Sequence, residues 1–275
     1  MIINHNIPAL NTHRMLGMNH LASQKAMEKL SSGMRINRAG DDAAGLSISE
    51  KMRAQIRGLN QASRNSQDGI SLIQTAEGAL TETHAILQRM RELVIQAGNL
   101  GTNETEDLTA IQDEINQLID EIDGIAERTE FNGKKLLDGN FSGILQIGAN
   151  EGQQMTVTIG NMSSQGLGVE KANIDVTSAT AGEDIDIIIG AIDSAIEDVS
   201  SQRSALGAYQ NRLEHTINNL NNAAENLQAA ESRIRDTDMA KEIMEFTRAN
   251  ILAQASQAML AQANQLPQAV LQLLG

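Results

Sequence analysis

The run Ile192-Asp-Ser-Ala-Ile-Glu-Asp-Val199-Ser-Ser-Gln-Arg-Ser-Ala-Leu206-Gly-Ala-Tyr-Gln-Asn-Arg-Leu213-Glu-His-Thr-Ile-Asn-Asn-Leu220 decides the architecture. Its large apolar residues return every seven positions, and the series continues through Leu227 and Ile234 without a polar interruption. That spacing marks a long coiled-coil helix, because a seven-residue repeat keeps one stripe against a partner. An earlier series reads Met52, Leu59, Ser66, Ile73, Leu80, Leu87 and Val94, with Ile56 and Ile70 on companion positions. A third, shorter helix reads Leu108, Ile111, Ile115, Leu118, Ile122 and Ile125, alternating steps of three and four. Asn103 with Glu106 predicts a capping box at its start. Gly98 and Gly101 mark the turn before it, so the second and third helices should fold back on each other. A helix from about Ala44 to Gly98 would be ~80 Å long at ~1.5 Å per residue. A globule of this chain length has a radius of gyration of only ~19 Å. The expected fold is mainly α, an elongated rod of long coiled-coil helices.

Between the helices, residues 131–182 change character. Asn132-Gly133, Asp138-Gly139 and Glu151-Gly152 are turn dipeptides. Leu145–Gly148 and Met155–Ile159 flank 149–154 and predict a small β-hairpin. Residues 163–184 are small and polar and read as a surface connection to the final long helix.

Composition agrees with narrow helical seams. Apolar residues make up 41% of the chain but aromatics only 1%: Phe131, Phe141, Phe246 and Tyr209. Only Pro8 and Pro267 break the backbone pattern, which argues against an all-β sandwich. There is no cysteine, so disulfides and thiolate metal sites are excluded. The net charge of −14 argues against nucleic-acid binding, yet it is uneven: residues 1–64 carry +5 and the rest −19. A basic end and an acidic body suggest contacts between copies, with solvated faces as the plainer reading.

The two ends need partners. From Ala249 to Gly275 no side chain is charged. Ile251, Leu252, Met259, Leu260, Leu266 and Val270 are interleaved with Gln254, Gln257, Gln262 and Gln265, which rules out a transmembrane span. A lone helix buries one side only, so this tail should order only among neighbours. Residues 1–33 are similar, with Ile2, Ile3, Ile7, Leu10, Leu16, Met18 and Leu21, ended by Ser31-Ser32-Gly33. The start lacks the basic region and apolar core of a cleaved signal peptide, so export, if it occurs, should leave the chain uncut. The reading is a self-polymerising subunit with neither membrane insertion nor nucleic-acid partner.

Several stretches carry a family resemblance. Lys29-Leu-Ser-Ser-Gly-Met-Arg-Ile-Asn-Arg-Ala-Gly-Asp-Asp-Ala-Ala-Gly-Leu46 resembles the N-terminal signature of bacterial flagellins. Asn65-Ser-Gln-Asp-Gly-Ile-Ser-Leu72, Phe131-Asn-Gly-Lys-Lys-Leu136, Gln146-Ile-Gly-Ala-Asn150 and Ala255-Ser-Gln-Ala-Met-Leu-Ala-Gln-Ala-Asn264 match as well, closest to Bacillus-like members. The resemblance covers the chain except about 160–190. It implies terminal helices at 1–40 and 236–275, paired as a coiled coil in the inner tube of an extracellular filament. The rod would comprise 41–160, with the hairpin region, and 191–235. A short connection, 161–190, would stand where larger flagellins insert outer domains. The implied partners are further copies of the chain, a flagellar export chaperone on the C-terminal segment, and the hook–filament junction and cap proteins. Secretion would run through the flagellar type III channel.

No enzyme constellation is legible. His5, His13, His20, His84 and His215 are scattered, no His-Glu-x-x-His or phosphate loop occurs, and no cofactor is implied. Asp41-Asp42 and Glu183-Asp184 read as helix N-terminal charges. His84 reads as an interfacial histidine on the companion seam of the second helix. Leu87-Gln-Arg-Met-Arg-Glu-Leu93 and Ile111-Gln-Asp-Glu-Ile115 resemble the flagellin pattern read by the flagellin-sensing Toll-like receptor of animals, with Met90 and Asp113 at varied positions. The match assigns Arg89, Leu93 and Glu114 as receptor contacts. The same residues serve equally as seam and inter-subunit contacts, and both roles stand together. A minor axial protein such as the hook–filament junction protein is the alternative. A helical signalling stalk would need a membrane anchor or a paired hairpin tip, and the sequence has neither.

Overall fold

The computed structural model describes residues 6–99, 101–178 and 182–274, with side chains to residue 265. The helices are α1 (Ile7–Ser32), α2 (Ala43–Ala97), α3 (Thr105–Arg128), α4 (Gly182–Arg235) and α5 (Met239–Leu274). Four short strands lie between α3 and α4: β1 (Glu130–Phe131), β2 (Lys134–Lys135), β3 (Ser142–Gln146) and β4 (Gln154–Thr158). The chain divides into two compact units, one of residues 1–56 with 225–275, the other of residues 57–224.

In the first unit, α1 begins where the Asn6 carboxamide accepts from the Ala9 amide at 3.2 Å. It ends at Gly33, whose φ of 70° lets its N–H reach back to the Lys29 carbonyl. Asp238 caps α5 by accepting from the Ala240 and Lys241 amides at 3.0 and 3.2 Å. Asp42 accepts from the Gly45 amide at 2.8 Å and starts α2, while Asp41 folds the preceding loop by accepting from the Asn37 and Arg38 amides. Those backbone bonds, first from Arg38 and then from Asn37, hold the Asp41 carboxyl below the ordinary carboxylate range. The acidic pair is therefore structural.

The second unit holds the apolar core. Ile192, Val199, Leu206 and Leu213 are fully enclosed and Leu220 is nearly so; Leu227 and Ile234, which lie in the first unit, are half-buried. In α2 the row Ile73, Leu80, Leu87 and Val94 is enclosed as the heptads require. The companion row differs from the sequence expectation. It is Ala62, Gly69, Ala76, Thr83, Met90 and Ala97, while Ile56 and Ile70 are only half-buried. Small residues win this row because neighbours come close: a Cβ on Gly69 would lie 2.5 Å from Leu145 and 3.3 Å from Leu213. Thr83 thus takes the place expected for His84, which sits half-buried on the flank with Nε2 3.0 Å from the Gln88 amide nitrogen. On α3 the enclosed residues are Leu108, Ile111, Ile115, Ile119, Ile122 and Ala126. Leu118 and Ile125 are partly buried beside them. A straight helix turns past a strict three–four alternation, which brings Ile119 inward in place of Leu118.

Two further local expectations need correction. The helix following Gly101 starts one residue later than Asn103 implies: Asp107 Oδ2 accepts from the Glu104 amide at 3.1 Å. The Asn103 carboxamide instead donates to the Gln96 carbonyl at 2.8 Å, closing the end of α2. The segment expected as a surface connection is a strap on the core. Leu167, Val169, Ile174 and Val176 are buried, and α4 begins at Gly182, so Ile185 and Ile188 already belong to its buried stripe. The Gln112 side chain brackets the strap, donating to the Ile174 carbonyl at 2.9 Å and accepting from the Val176 amide at 2.8 Å. Asp123 accepts from the amide and the hydroxyl of Ser164, both at 2.8 Å.

The hairpins follow the turn dipeptides. Asn132 and Gly133 have φ of 52° and 74°, the pair of positive values a two-residue type I′ turn requires between β1 and β2. Strands β3 and β4 pair antiparallel with Ser142 opposite Thr158 and Gln146 opposite Gln154. Met155, Val157 and Ile159 point into the core, and the Asn65 carboxamide donates to the Gln146 carbonyl at 3.1 Å, tying the hairpin to α2.

Candidate assembly surface

Helices α1 and α5 lie along one another antiparallel. Four polar contacts fix their register. The Asn6 carboxamide donates to the Ala263 carbonyl at 2.8 Å, Asn19 donates to the Ser256 hydroxyl at 3.1 Å, and Ser23 donates to Asn250 at 2.9 Å. Lys29 pairs with Glu242 at 3.6 Å. The residues enclosed between the helices are small: Ser23, Ala26, Ala249, Ala253 and Ala263. A seam of this kind draws two backbones together and leaves no room for long side chains. The large apolar residues therefore face outward, with Leu10 76%, Met18 59%, Met244 66%, Ile251 60% and Met259 57% exposed.

Single exposed apolar residues are ordinary, whereas a set this dense on two paired helices marks an interaction surface. Ile243, Met244, Thr247, Arg248, Ile251 and Leu252 line a shallow, mainly apolar groove of about 410 Å³ on α5. Of the tail residues singled out in the sequence, Ile251, Leu252 and Met259 are exposed and Leu260 is half-buried. Leu266 and Val270 lie outside the described side chains. The small-residue seam went unread in the sequence. Its signal was the spacing of Ala249 and Ala253 by one helical turn opposite Ser23 and Ala26.

Arg89, Leu93 and Glu114 divide between a surface cluster and the core. On the surface, Arg89 Nε and Nη2 donate to Glu114 Oε1 at 3.1 and 2.9 Å, and Nη1 donates to Glu92 Oε2 at 3.2 Å. The hydrogen bonds to Glu114 and then Glu92 raise the guanidinium further above its ordinary value, so it stays charged at every working pH. Leu93, one turn along α2, is 2% exposed and lies in the core, as does Met90. Leu93 therefore presents no contact surface in the free chain; it anchors the helix face that carries Arg89. Glu92, as a second carboxylate on Arg89, was not anticipated, although its i,i+3 spacing is visible in the sequence.

Among the described residues no three His, Cys, Asp or Glu side chains converge as metal ligands, and no helix is long and apolar enough to cross a membrane.

Two family models match the chain: the bacterial flagellin N-terminal helical region over residues 3–142 and the flagellin C-terminal helical region over residues 189–274. The chain is 62% identical to a flagellin of Bacillus subtilis (strain 168) and 64% identical to one of Halalkalibacterium halodurans, each match covering 100% of both chains. Among solved structures, a putative flagellar hook-associated protein from Vibrio parahaemolyticus superimposes with a TM-score of 0.61 at 15% identity, covering 71% of this chain and 100% of that one. At that identity the likeness concerns the fold alone.

Proposed function

We propose that this chain, which belongs to the bacterial flagellin family, builds the flagellar filament by burying the outward apolar faces of α1 and α5 between copies. Flagellins are structural proteins that form the extracellular filament. The observation that carries the assignment of the surface is the alanine and serine seam, which turns Leu10, Met18, Met244, Ile251 and Met259 away from their own subunit. Residues 1–40 and 236–275 then act as the polymerising segments, and residues 41–160 with 191–235 as the body that carries them. The stretch 161–190 stands in place of the outer domains of larger relatives. The test is deletion of 249–275. The shortened chain should remain helical and fail to elongate filament seeds; elongation at the normal rate would refute the assignment.

An export chaperone that covers the C-terminal segment fits the same surface, because an exposed apolar tail is an aggregation hazard before assembly. Uncleaved secretion through the type III channel, and docking on junction and cap proteins, belong to the same reading. Pull-down of the chaperone should lose its signal with the 249–275 deletion. Receptor recognition is assigned to the exposed Arg89–Glu114 pair, with Leu93 supporting it from the core. Arg89→Ala should lower the response of receptor-bearing reporter cells while leaving the helical content unchanged. Full-length identity to flagellins favours the filament over the junction protein, and complementation of a filamentless strain separates the two.

A further inference from the structure

A cleft of about 590 Å³ lies in the first unit where the end of α1 meets the start of α5. Its walls include Lys25, Lys29, Arg35, Arg233, Lys241 and Arg248 against Asp236, Asp238, Glu242 and Glu245. The acids are committed within the unit. Asp236 accepts from the Ser232 hydroxyl at 2.6 Å, and Asp238 caps α5. Glu242 pairs with Lys29 at 3.6 Å and Glu245 with Arg248 at 2.7 Å. The remaining cations form no ion pair among the described residues. Arg35 donates Nε and Nη2 to the Ile234 carbonyl, a neutral acceptor. The side chains of Lys25, Arg233 and Lys241 make no hydrogen bond or ion pair among the described residues and are exposed, Lys25 acting only through its field on Asp41. Six basic against four acidic side chains therefore give the cleft a net charge of +2.

The chain itself supplies the complement. The first unit carries eleven basic and ten acidic side chains, while the second carries ten basic and 25 acidic. The whole acidic excess of the protein thus sits on the unit that lacks the cleft. A patch of one sign on one unit and its opposite on the other makes a head-to-tail contact, which repeats into an open polymer instead of closing. We propose that the Lys25–Arg35–Arg233–Lys241 cleft receives the acidic surface of the second unit of a neighbouring copy. This rests on the filament-subunit reading and adds to it an electrostatic contact beside the apolar groove of α5, with which the cleft shares Arg248 and Leu252. Attraction of this kind acts on the approach of subunits and their orientation, so it governs elongation rate.

The test is elongation of filament seeds by full-length protein, followed by light scattering and electron microscopy. Wild-type elongation should slow about tenfold between about 50 and 300 mM NaCl, as the Debye length shortens from roughly 14 to roughly 6 Å. Lys25→Glu with Lys241→Glu should retain wild-type helicity, because both lysines are exposed and outside any salt bridge, the loss being only the field of Lys25 on Asp41. That variant should elongate at least about tenfold more slowly at low salt and lose its inhibition by NaCl. Lys25→Arg with Lys241→Arg should elongate as wild type does. Failure of the wild-type protein to elongate at all would overturn the filament reading. Wild-type elongation with an equally fast, equally salt-sensitive Glu variant would overturn this inference alone. So would unaltered elongation of the Glu variant together with lost binding to vesicles of anionic phospholipid, an outcome that assigns the cleft to a membrane surface.

Discussion

Leu206 and Leu213 of α4 share one enclosed core with Ile73 and Leu80 of α2 and Ile115 and Ile122 of α3. The α1–α5 pair is enclosed instead by Ala26, Ala249, Ala253 and Ala263 and leaves Leu10, Met244 and Ile251 in water. Both regions are built from long helices, and aromatic residues fill little of either: Phe141 is buried in the first, with Phe131 and Tyr209 packed against it. The difference lies in which residues face the partner. Large residues inward give a unit that stabilises itself; small residues inward give a helix pair whose apolar surface is still to be covered. Burial is worth about 25 cal/mol per Å² of apolar area. The first region gains most of that on folding, and the second region leaves much of it for assembly.

The sharpest way to break this comparison is Leu213→Asp. A carboxylate at a fully enclosed seam position has no partner and should cost about 4 kcal/mol or more, enough to unfold the 57–224 unit. Circular dichroism melting measures it, and a melting curve like that of the wild type would show that this core does not carry the stability assigned to it.

A smaller loss should come from Gln112→Ala, which leaves the Ile174 carbonyl and Val176 amide buried without partners at a cost of about 2 kcal/mol. Hydrogen exchange at Val176 should speed up while the α4 seam stays protected; unchanged exchange would show that the strap holds without its bracket. The same strap has a pH dependence. Hydrogen bonds from Thr177 keep the Asp175 carboxyl below the ordinary carboxylate range. Its stabilisation is therefore complete above the unfolded carboxylate pKa and is lost as pH falls through the depressed one. Protection of residues 174–178 should decline on acidification before that of α4 does.

The heptads of α4 and the turn dipeptides were legible because each rests on a local rule: period seven for a seam, and positive φ for Asn132-Gly133. The companion row of α2 was not, because Gly69 is chosen by what approaches it, Leu145 from a hairpin more than seventy positions away in the chain. The strap was misread for a related reason. Its polar composition suggested solvent, yet the Gln112 bracket satisfies its backbone and lets Ile174 and Val176 reach the core. In the assembly surface, the apolar tail was plain in the sequence, but the inward face was hidden because alanine carries no strong apolar signal. Arg89 and Glu114 were found by resemblance, and that match carried no sign that Leu93 is enclosed.

Gly133→Ala tests the turn that begins the hairpin region. With φ of 74° at residue 133, a Cβ costs about 1 kcal/mol, and nothing within 4 Å would add a clash. The melting temperature should fall by a few degrees with no change in assembly. A neutral result would mean that the short β1–β2 turn contributes nothing measurable to the unit.

The smallest effect on the isolated chain, and the most informative for the comparison, is expected from Met244→Ser with Ile251→Ser. Both side chains are mostly in water already, 66% and 60% exposed, and both lie on the groove side of α5 away from its alanine seam. Replacing them should change monomer stability by no more than about 0.5 kcal/mol, the range for surface positions. The α1–α5 contacts at Asn19, Ser23 and Lys29 are untouched, so helicity should hold. Assembly should respond differently, because the proposed contribution of these residues comes only when a neighbouring copy covers them. Wild-type melting combined with failure to elongate seeds would place the two residues on the polymer contact. Equal loss of stability and assembly would instead mean that the groove is closed within the subunit in solution, and the contrast between the two regions would fall.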